Sequence, residues 1–384
     1  MNQVNLATHP LWMELDFEAL HSNFQEVKKR VGEEVKLMAS IKANAYGHGV
    51  VEVAAALAEY GVDYFATASY SDAMRVRESG NTTPIVMFGG NLPEGITDHL
   101  RHDLIPSIYN METAQRISAA VDRPTRVFLK VDIGLGRLGV PVNQAVAFAS
   151  QARELPNIVL EGIYTHISFH NDETRAYAQE RLPTFYRMLE QMSAAGIDIP
   201  VAQALDSGFI LQNWHDDLSA VCPGHVLYGI SPCIPDYLEM APFKPVLKAI
   251  KAQLIHVAHH PEEGPASGAC WYHRNRRGDT TGVIPFGMYD GYRKPPVGET
   301  VEVLFRGRRI PVLGVSLEYT VVDLADFDDA EVGEEITIVG SNGNDHIAIE
   351  EAAAWLKISP LEFLMSLNGR LPRQIPADLK VKAA

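Results

Sequence analysis

Lys42 follows a mostly apolar run, residues 35–41, at the head of the stretch KANAYGHG. A lysine is seldom buried without a partner, so this one either reaches solvent along its alkyl stem or does chemistry. Tyr46, Gly47, His48 and Gly49 stand just behind it. An amine pulled into a desolvated pocket has a depressed pKa and a free lone pair, which suits it to a Schiff base with an aldehyde cofactor. Other polar groups fall at the ends of apolar runs: Lys130 and Asp132 in RVFLKVD, His166 in NIVLEGIYTHIS, and Asp206 and Ser207 at the close of VAQALDS. Gly224 in CPGHVLYG precedes a short helical turn and is suited to offering backbone N–H groups to a phosphate.

The elements between these groups decide whether they can meet. From about residue 15 to 235, β-rich runs alternate with helical patterns. Strands are predicted at 34–43, 63–69, 84–90, 103–109, 126–132, 157–168, 201–206 and near 221–230, and helices at 50–61, 71–80, 111–121, 142–154 and 173–195. Roughly eight β/α units is what a (β/α)8 barrel needs, and its functional side chains sit at the C-terminal ends of its strands. A doubly wound open sheet is the competing architecture, because alternation alone does not show closure. Beyond about 240 the pattern becomes strands separated by Gly, Pro and Asp turns, with one late helix at 349–357. The expected organisation is a barrel over 1–238 and an all-β domain over 239–384, joined through a stretch carrying Pro232, Pro235, Pro242 and Pro245.

Composition narrows the function. A net charge of −15 leaves nothing to neutralise a run of phosphates, so no nucleic-acid partner is expected. Three cysteines, Cys222, Cys233 and Cys270, form no disulfide framework and point to a reducing cytoplasm. No basic and apolar leader opens the chain and no apolar run approaches the ~20 residues that span a bilayer, so no membrane partner is expected. His256, His259 and His260 read as a clump on a β-domain edge rather than a metal site, and the acidic run 326–329 as solvated loop.

The stretches LWMELDFEALHSNF, IKANAYGHG, LKVDIGLGRLG, GIYTHIS, LDSGFILQNW, PGHVLYGISP, VIPFGMYDGY and the late LPR together resemble the alanine racemases, over about residues 11–375. The resemblance implies pyridoxal 5'-phosphate as cofactor, an N-terminal barrel, a C-terminal β domain and a head-to-tail homodimer acting on a small-molecule amino-acid substrate. It implies that Lys42 carries the cofactor and serves as one of two racemisation bases. Tyr46, Ser207 and the backbone at Gly224 and His225 hold the phosphate, with Tyr228 and Cys222 completing the cofactor-binding set. His166 lies near the ring oxygen, and Arg137 points towards that oxygen and the substrate carboxylate. Lys130 corresponds to a lysine that is carbamylated in many members and orients that arginine.

Three departures from the family pattern stand out. Where the family has an arginine facing the pyridine nitrogen this chain has Cys222, a weak donor as a thiol. Where it has its second base, a tyrosine directly after glycine, this chain reads Gly287-Met288-Tyr289-Asp290-Gly291, displacing the tyrosine by one. On a strand that shift reverses facing; in a loop it is absorbable. The family's late phosphate-binding tyrosine aligns near Leu361, and its Met-Asp pair near the substrate with Leu317-Glu318. The leading expectation is a racemase of alanine or a related amino acid, with Lys42 and Tyr289 catalytic and Arg137, Lys130 and Glu318 at the substrate. The alternatives are a non-racemising enzyme on the same scaffold (aldolase, dehydratase, decarboxylase or aminotransferase) and a non-catalytic pyridoxal-phosphate carrier.

Overall fold

The computed structural model describes residues 8–89, 92–167, 169–232, 239–262 and 278–375. Of the residues named above, Ser168, Cys233, Pro235 and Cys270 lie outside this set. Contacts divide the chain into two compact units. One holds residues 18–45 and 50–244; the other holds the described residues before 18, residues 46–49 and the described residues from 245 onward.

Strands are numbered along the chain from β1 (Leu11–Leu15), which lies in the second unit. The first unit contains β2 (Lys36–Ser40), β3 (Tyr64–Thr67), β4 (Ile85–Met87), β5 (Leu104–Ile108), β6 (Thr125–Asp132), the two-residue β7 (Val140–Pro141), β8 (Ile158–Tyr164), β9 (Val201–Asp206) and β10 (Ala220–Cys222). They pair in the order β2–β3–β4–β5–β6–β8–β9–β10, and β10 returns to β2, so eight strands close a barrel with β7 outside the ring beside β6. Every pairing is parallel. Closure excludes the open sheet and brings the C-terminal strand ends to one rim.

The barrel interior is filled by Met38, Tyr64, Ala66, Val86, Ile105, Phe128, Tyr164, Val201 and Ala220. Gly162 is required there: a Cβ on it would stand 2.1 Å from the Phe128 ring, so a larger residue would overpack the core. Three of the barrel helices start where a side chain caps them. Ser69, Asn110 and Asn171 each accept a backbone N–H of the first turn, which satisfies a donor with no intrahelical partner.

The second unit is one sheet containing β11 (Leu247–Gln253), β12 (His256–His259), β13 (Thr280–Ile284), β14 (Glu302–Phe305), β15 (Arg308–Val315), β16 (Thr320–Asp323), β17 (Glu335–Asn342), β18 (Asp345–Ile347) and β19 (Arg373–Gln374). Its order is β12–β13–β16–β15–β14–β17–β11–β1–β19, with β18 on β17. The expected barrel span of 1–238 therefore differs at its start. β1 pairs antiparallel with β11 and parallel with β19, which places residues 8–17 in the β unit, while residues 239–244 cluster with the barrel. The single late helix is two, Ile349–Trp355 and Pro360–Ser366, separated where Lys357 adopts a φ of 57°. His259 and His260 bond to the hydroxyls of Thr280 and Thr281. Among the described residues no helix is long and apolar enough to cross a membrane.

Candidate active site at the barrel rim

β2 ends at Ser40, two residues before the strand expected from the sequence would deliver Lys42. Lys42 therefore starts a separate turn and is exposed, rather than buried as a strand-end lysine would be. That turn is left-handed: Ala43, Asn44, Ala45 and Tyr46 have φ of 55°, 56°, 54° and 53°. Each such residue costs about 1–2 kcal/mol, so surrounding bonds must hold it. Asn44 does so from three sides. Its backbone N–H donates to Asp72 Oδ2 at 2.9 Å, and its Oδ1 accepts from the Val50 N–H at 3.0 Å and from Arg75 at 2.8 Å. The amine is thus mounted on a strained, braced turn at the rim rather than on a flexible loop.

Two neighbouring strands, β10 beside β2 and β9 beyond it, end in a cradle of polar groups suited to an anion. Ser207 follows directly on β9, is 2% exposed, and its Oγ accepts the Gly224 N–H at 2.9 Å and the Val226 N–H at 3.4 Å. With its lone pairs so engaged, the hydroxyl meets a further anion as a donor. Gly224 caps the one-turn helix His225–Tyr228, and Tyr228 is buried with its hydroxyl donating to the Ser40 carbonyl at 2.9 Å. That bond ties the cradle to the strand preceding Lys42. A buried hydroxyl donor and a primary amine on the turn after the adjoining strand β2 are donors that a phosphorylated aldehyde requires. The residues fit pyridoxal phosphate. Ser207→Ala is expected to weaken cofactor retention roughly tenfold, because the Gly224 N–H loses its buried acceptor along with the phosphate donor. A titration of cofactor into apo-protein measures this; unchanged affinity would remove Ser207 from the cradle.

Other strands of the barrel carry groups whose charge states burial sets. Lys130 is 5% exposed and its amine lies 4.5 Å from the Tyr164 ring centroid. Burial, followed by the Arg137 charge, pulls its pKa down to about 7. Tyr164 is buried against Ser107, their hydroxyls 2.9 Å apart. His166 is driven down to about 3, first by burial and then by Lys130 and Lys42, so its imidazole is neutral. His225 is lowered to about 4 by burial and then Lys42. Cys222 is pushed up to about 12 by burial, so it is a neutral thiol. Asp206, the cross-strand partner of Cys222, has its carboxyl raised to about 6 by burial. Arg137 is exposed, on the loop after β6 where Asp132 binds the Gly134 and Gly136 N–H groups.

The remaining expected residues belong to the β unit. Met288, Tyr289 and Asp290 form a single 3-10 turn, not a strand, so successive side chains are about 120° apart and a one-residue shift does not reverse facing. Met288 is 38% and Tyr289 57% exposed. Arg370 donates to the Tyr289 hydroxyl at 3.0 Å, and Asn368 to its carbonyl at 3.1 Å. Glu318 and Leu317 are exposed on the neighbouring loop, whose Leu317 carbonyl accepts the Tyr289 N–H. Tyr46 is buried within this unit, and Leu361 lies in the helix Pro360–Ser366.

Two contributions had no counterpart in the sequence reading. Arg373, of the quoted LPR, donates to the carbonyls of Gly47 and His48 at 3.0 and 2.9 Å, fixing the tail of the KANAYGHG segment. The Tyr164–Ser107 pair was hidden because its members come from strands far apart in sequence, although Tyr164 sits in the GIYTHIS stretch.

Comparison with known proteins agrees with this geometry. The alanine racemase N-terminal domain family matches residues 15–232 and the C-terminal domain family residues 247–375. An alanine racemase of Methanococcus maripaludis is 31% identical over 96% of this chain and 99% of its own length; one of Halothermothrix orenii is 32% identical over 96% and 97%. The solved alanine racemase of Clostridium difficile superposes with a TM-score of 0.85 at 27% identity over 95% of both chains. Family-domain matches over most of the chain, and full-length likeness in sequence and structure, place this chain in the alanine racemase family.

Proposed function

We propose that the chain is a pyridoxal-5'-phosphate-dependent amino-acid racemase that interconverts L- and D-alanine. The observation that carries the proposal is the Lys42 turn tied, through Tyr228 and Ser40, to the Ser207–Gly224 cradle. When bound, the cofactor supplies an electron sink that acidifies the substrate Cα–H. The chain's residues do the rest. Lys42 would hold the cofactor covalently, and its free amine would exchange a proton at the substrate Cα on one face. Tyr289 is the acceptor for the other face, since inversion needs a proton donor and acceptor on both. Arg137 receives the substrate carboxylate. Lys130, whose depressed pKa leaves a large neutral fraction near pH 7, has the amine form that adds carbon dioxide, and the resulting carbamate orients Arg137. We propose further that two copies assemble so that the β unit of one serves the barrel of the other.

The reading is tested by incubating either enantiomer of alanine with the protein in deuterated water. Deuterium at Cα with both enantiomers appearing supports it, and exchange with retained configuration sinks it. Tyr289→Phe is expected to slow racemisation on the order of 10²-fold or more while leaving cofactor attachment intact; unchanged turnover would remove Tyr289 as the second base. A non-racemising activity is the second reading, favoured by the neutral thiol of Cys222 where the family places an arginine. Release of ammonia, carbon dioxide or an aldehyde in the same incubation would establish it.

A further inference from the structure

Two neighbouring strand ends, on the strands that follow β2 round the barrel, set one side of the site. Asp206 closes β9 and Cys222 closes β10, and the two are paired across the strands. Each directly precedes part of the cradle: Ser207 follows Asp206, and Gly224 stands two residues beyond Cys222. In pyridoxal phosphate the ring nitrogen lies across the ring from the aldehyde carbon, and the phosphate arm is attached between them. With the aldehyde at Lys42 and the phosphate at Ser207 and Gly224, the ring edge from the arm to the nitrogen falls against Asp206 and Cys222.

Asp206, Cys222 and His166 meet here, within reach of the Lys42 charge, and Asp206 is the one of the three that holds charge. The Cys222 thiol, His166 and His225 are neutral near pH 7 because burial opposes their ionised forms. Asp206 titrates near 6 and is a carboxylate at neutral pH. Its Oδ1 accepts the Gly208 N–H at 3.0 Å, which caps the following turn and fixes the carboxyl's orientation. Its Oδ2 lies 3.7 Å from His166 Nδ1, too far for a hydrogen bond, and the neutral ring offers no cation. The side chain retains 23% of its exposure, so a ligand can reach it. A desolvated carboxylate stabilises a cationic N–H placed against it and raises that group's pKa.

We propose that Asp206 faces the cofactor's ring nitrogen and holds it protonated, in place of the arginine that family members carry at the Cys222 position. The inference rests on the pyridoxal-phosphate reading. The proton is taken from solvent as the cofactor enters, leaving a pyridinium N–H against the Asp206 carboxylate. A protonated ring is the stronger electron sink, so this chain stabilises carbanion character at Cα further than an arginine-paired ring does. Cys222 then serves as the small residue that leaves room for the pairing.

The test loads the full-length protein with cofactor carrying an isotope-labelled ring nitrogen and reads that nitrogen's NMR shift. The shift is expected in the pyridinium range in wild type and in Cys222→Ala, and in the neutral-pyridine range in Asp206→Asn. A neutral-pyridine shift in wild type, or a pyridinium shift retained by folded Asp206→Asn, would overturn the proposal. So would loss of the pyridinium shift in Cys222→Ala alone. If Asp206→Asn does not fold, Asp206→Glu decides: it keeps a carboxyl and is expected to keep the pyridinium shift, and losing it counts against Asp206. Cofactor uptake separates the two levels. Wild-type protein that fixes the cofactor on Lys42 but shows a neutral ring refutes this assignment alone, whereas protein that takes up no cofactor refutes the functional reading with it.

Discussion

Replacing Lys42 by alanine is expected to lower racemase turnover by about four orders of magnitude, the upper end of what one positioned acid–base group contributes, and to leave no cofactor that borohydride can fix to the chain. The site contains a rival, which makes the outcome informative. Lys130 has a pKa near 7 and so a large neutral amine fraction, the usual mark of a Schiff-base lysine. Geometry argues against it. The residue is 5% exposed and its amine lies 4.5 Å from the Tyr164 ring centroid, inside the barrel, where a ligand's aldehyde carbon has little access. Lys42 stands exposed at the rim, on a left-handed turn that Asn44 braces through three hydrogen bonds. Borohydride reduction followed by peptide mapping distinguishes the two. The label is expected on the Lys42 peptide in wild type and in Lys130→Ala, and on neither lysine in Lys42→Ala. Label on Lys130, or undiminished turnover in Lys42→Ala, would move the chemistry to the other amine.

The alternation of apolar runs with helical periods carried the barrel because parallel strands buried on both faces read as continuous apolar stretches. The run 201–206 is strand β9 to the residue, and the run 126–132 differs from β6 by one. β1 is a different case. LWMEL has the look of a barrel strand, but its hydrogen bonds go to β11 and β19, and nothing local in five residues states which sheet will take them. The turn after Lys42 was equally hidden. Positive φ is signalled by glycine or, less strongly, asparagine. Here two alanines and a tyrosine share it with Asn44, held by Asp72 and Arg75 from an adjoining helix.

At the site, residue type was legible and charge state was not. Lys130, His166 and Ser207 stand at or just past strand ends as alternation predicts, whereas Lys42 lies on the turn after β2. That Cys222 is a thiol and His166 a neutral imidazole follows from burial, which the sequence does not print. The pairing of Asp206 with Cys222 depends on parallel register between strands sixteen residues apart in chain, and register is a property of the closed sheet. The Met288–Tyr289 displacement is weakened as an objection because these residues form a 3-10 turn, where Arg370 and Asn368 hold Tyr289 in place.

Lys130→Met is expected to make the protein more stable while impairing catalysis, and the pH dependence of the gain identifies its cause. The folded chain lowers the Lys130 pKa from 10.5 to about 7, chiefly by burial and then by Arg137, with Asp132 and Cys222 opposing and Lys42 adding to the effect. At 1.36 kcal/mol per unit this amounts to roughly 5 kcal/mol against folding with the amine charged. The Tyr164 face returns up to ~2 kcal/mol to the cation, leaving on the order of 3 kcal/mol. Below about pH 7 the folded and unfolded chains both carry the proton, so the whole penalty is present. Between about 7 and 10.5 the unfolded chain binds the proton more often than the folded one, and wild-type stability rises with pH. Methionine keeps the length and apolar stem of the side chain and has no proton to lose. In buffer freed of carbon dioxide, the variant is expected to melt several degrees above wild type at about pH 6, with the gap narrowing as pH approaches 10. Added bicarbonate at mildly alkaline pH is expected to raise the wild-type melting temperature alone, because a carbamate formed on the neutral amine adds an anion that interacts with the Arg137 charge. A gap that is absent at about pH 6, or constant across the range, would show that Lys130 is not held as a desolvated amine. Arg137 would then need another group to orient it.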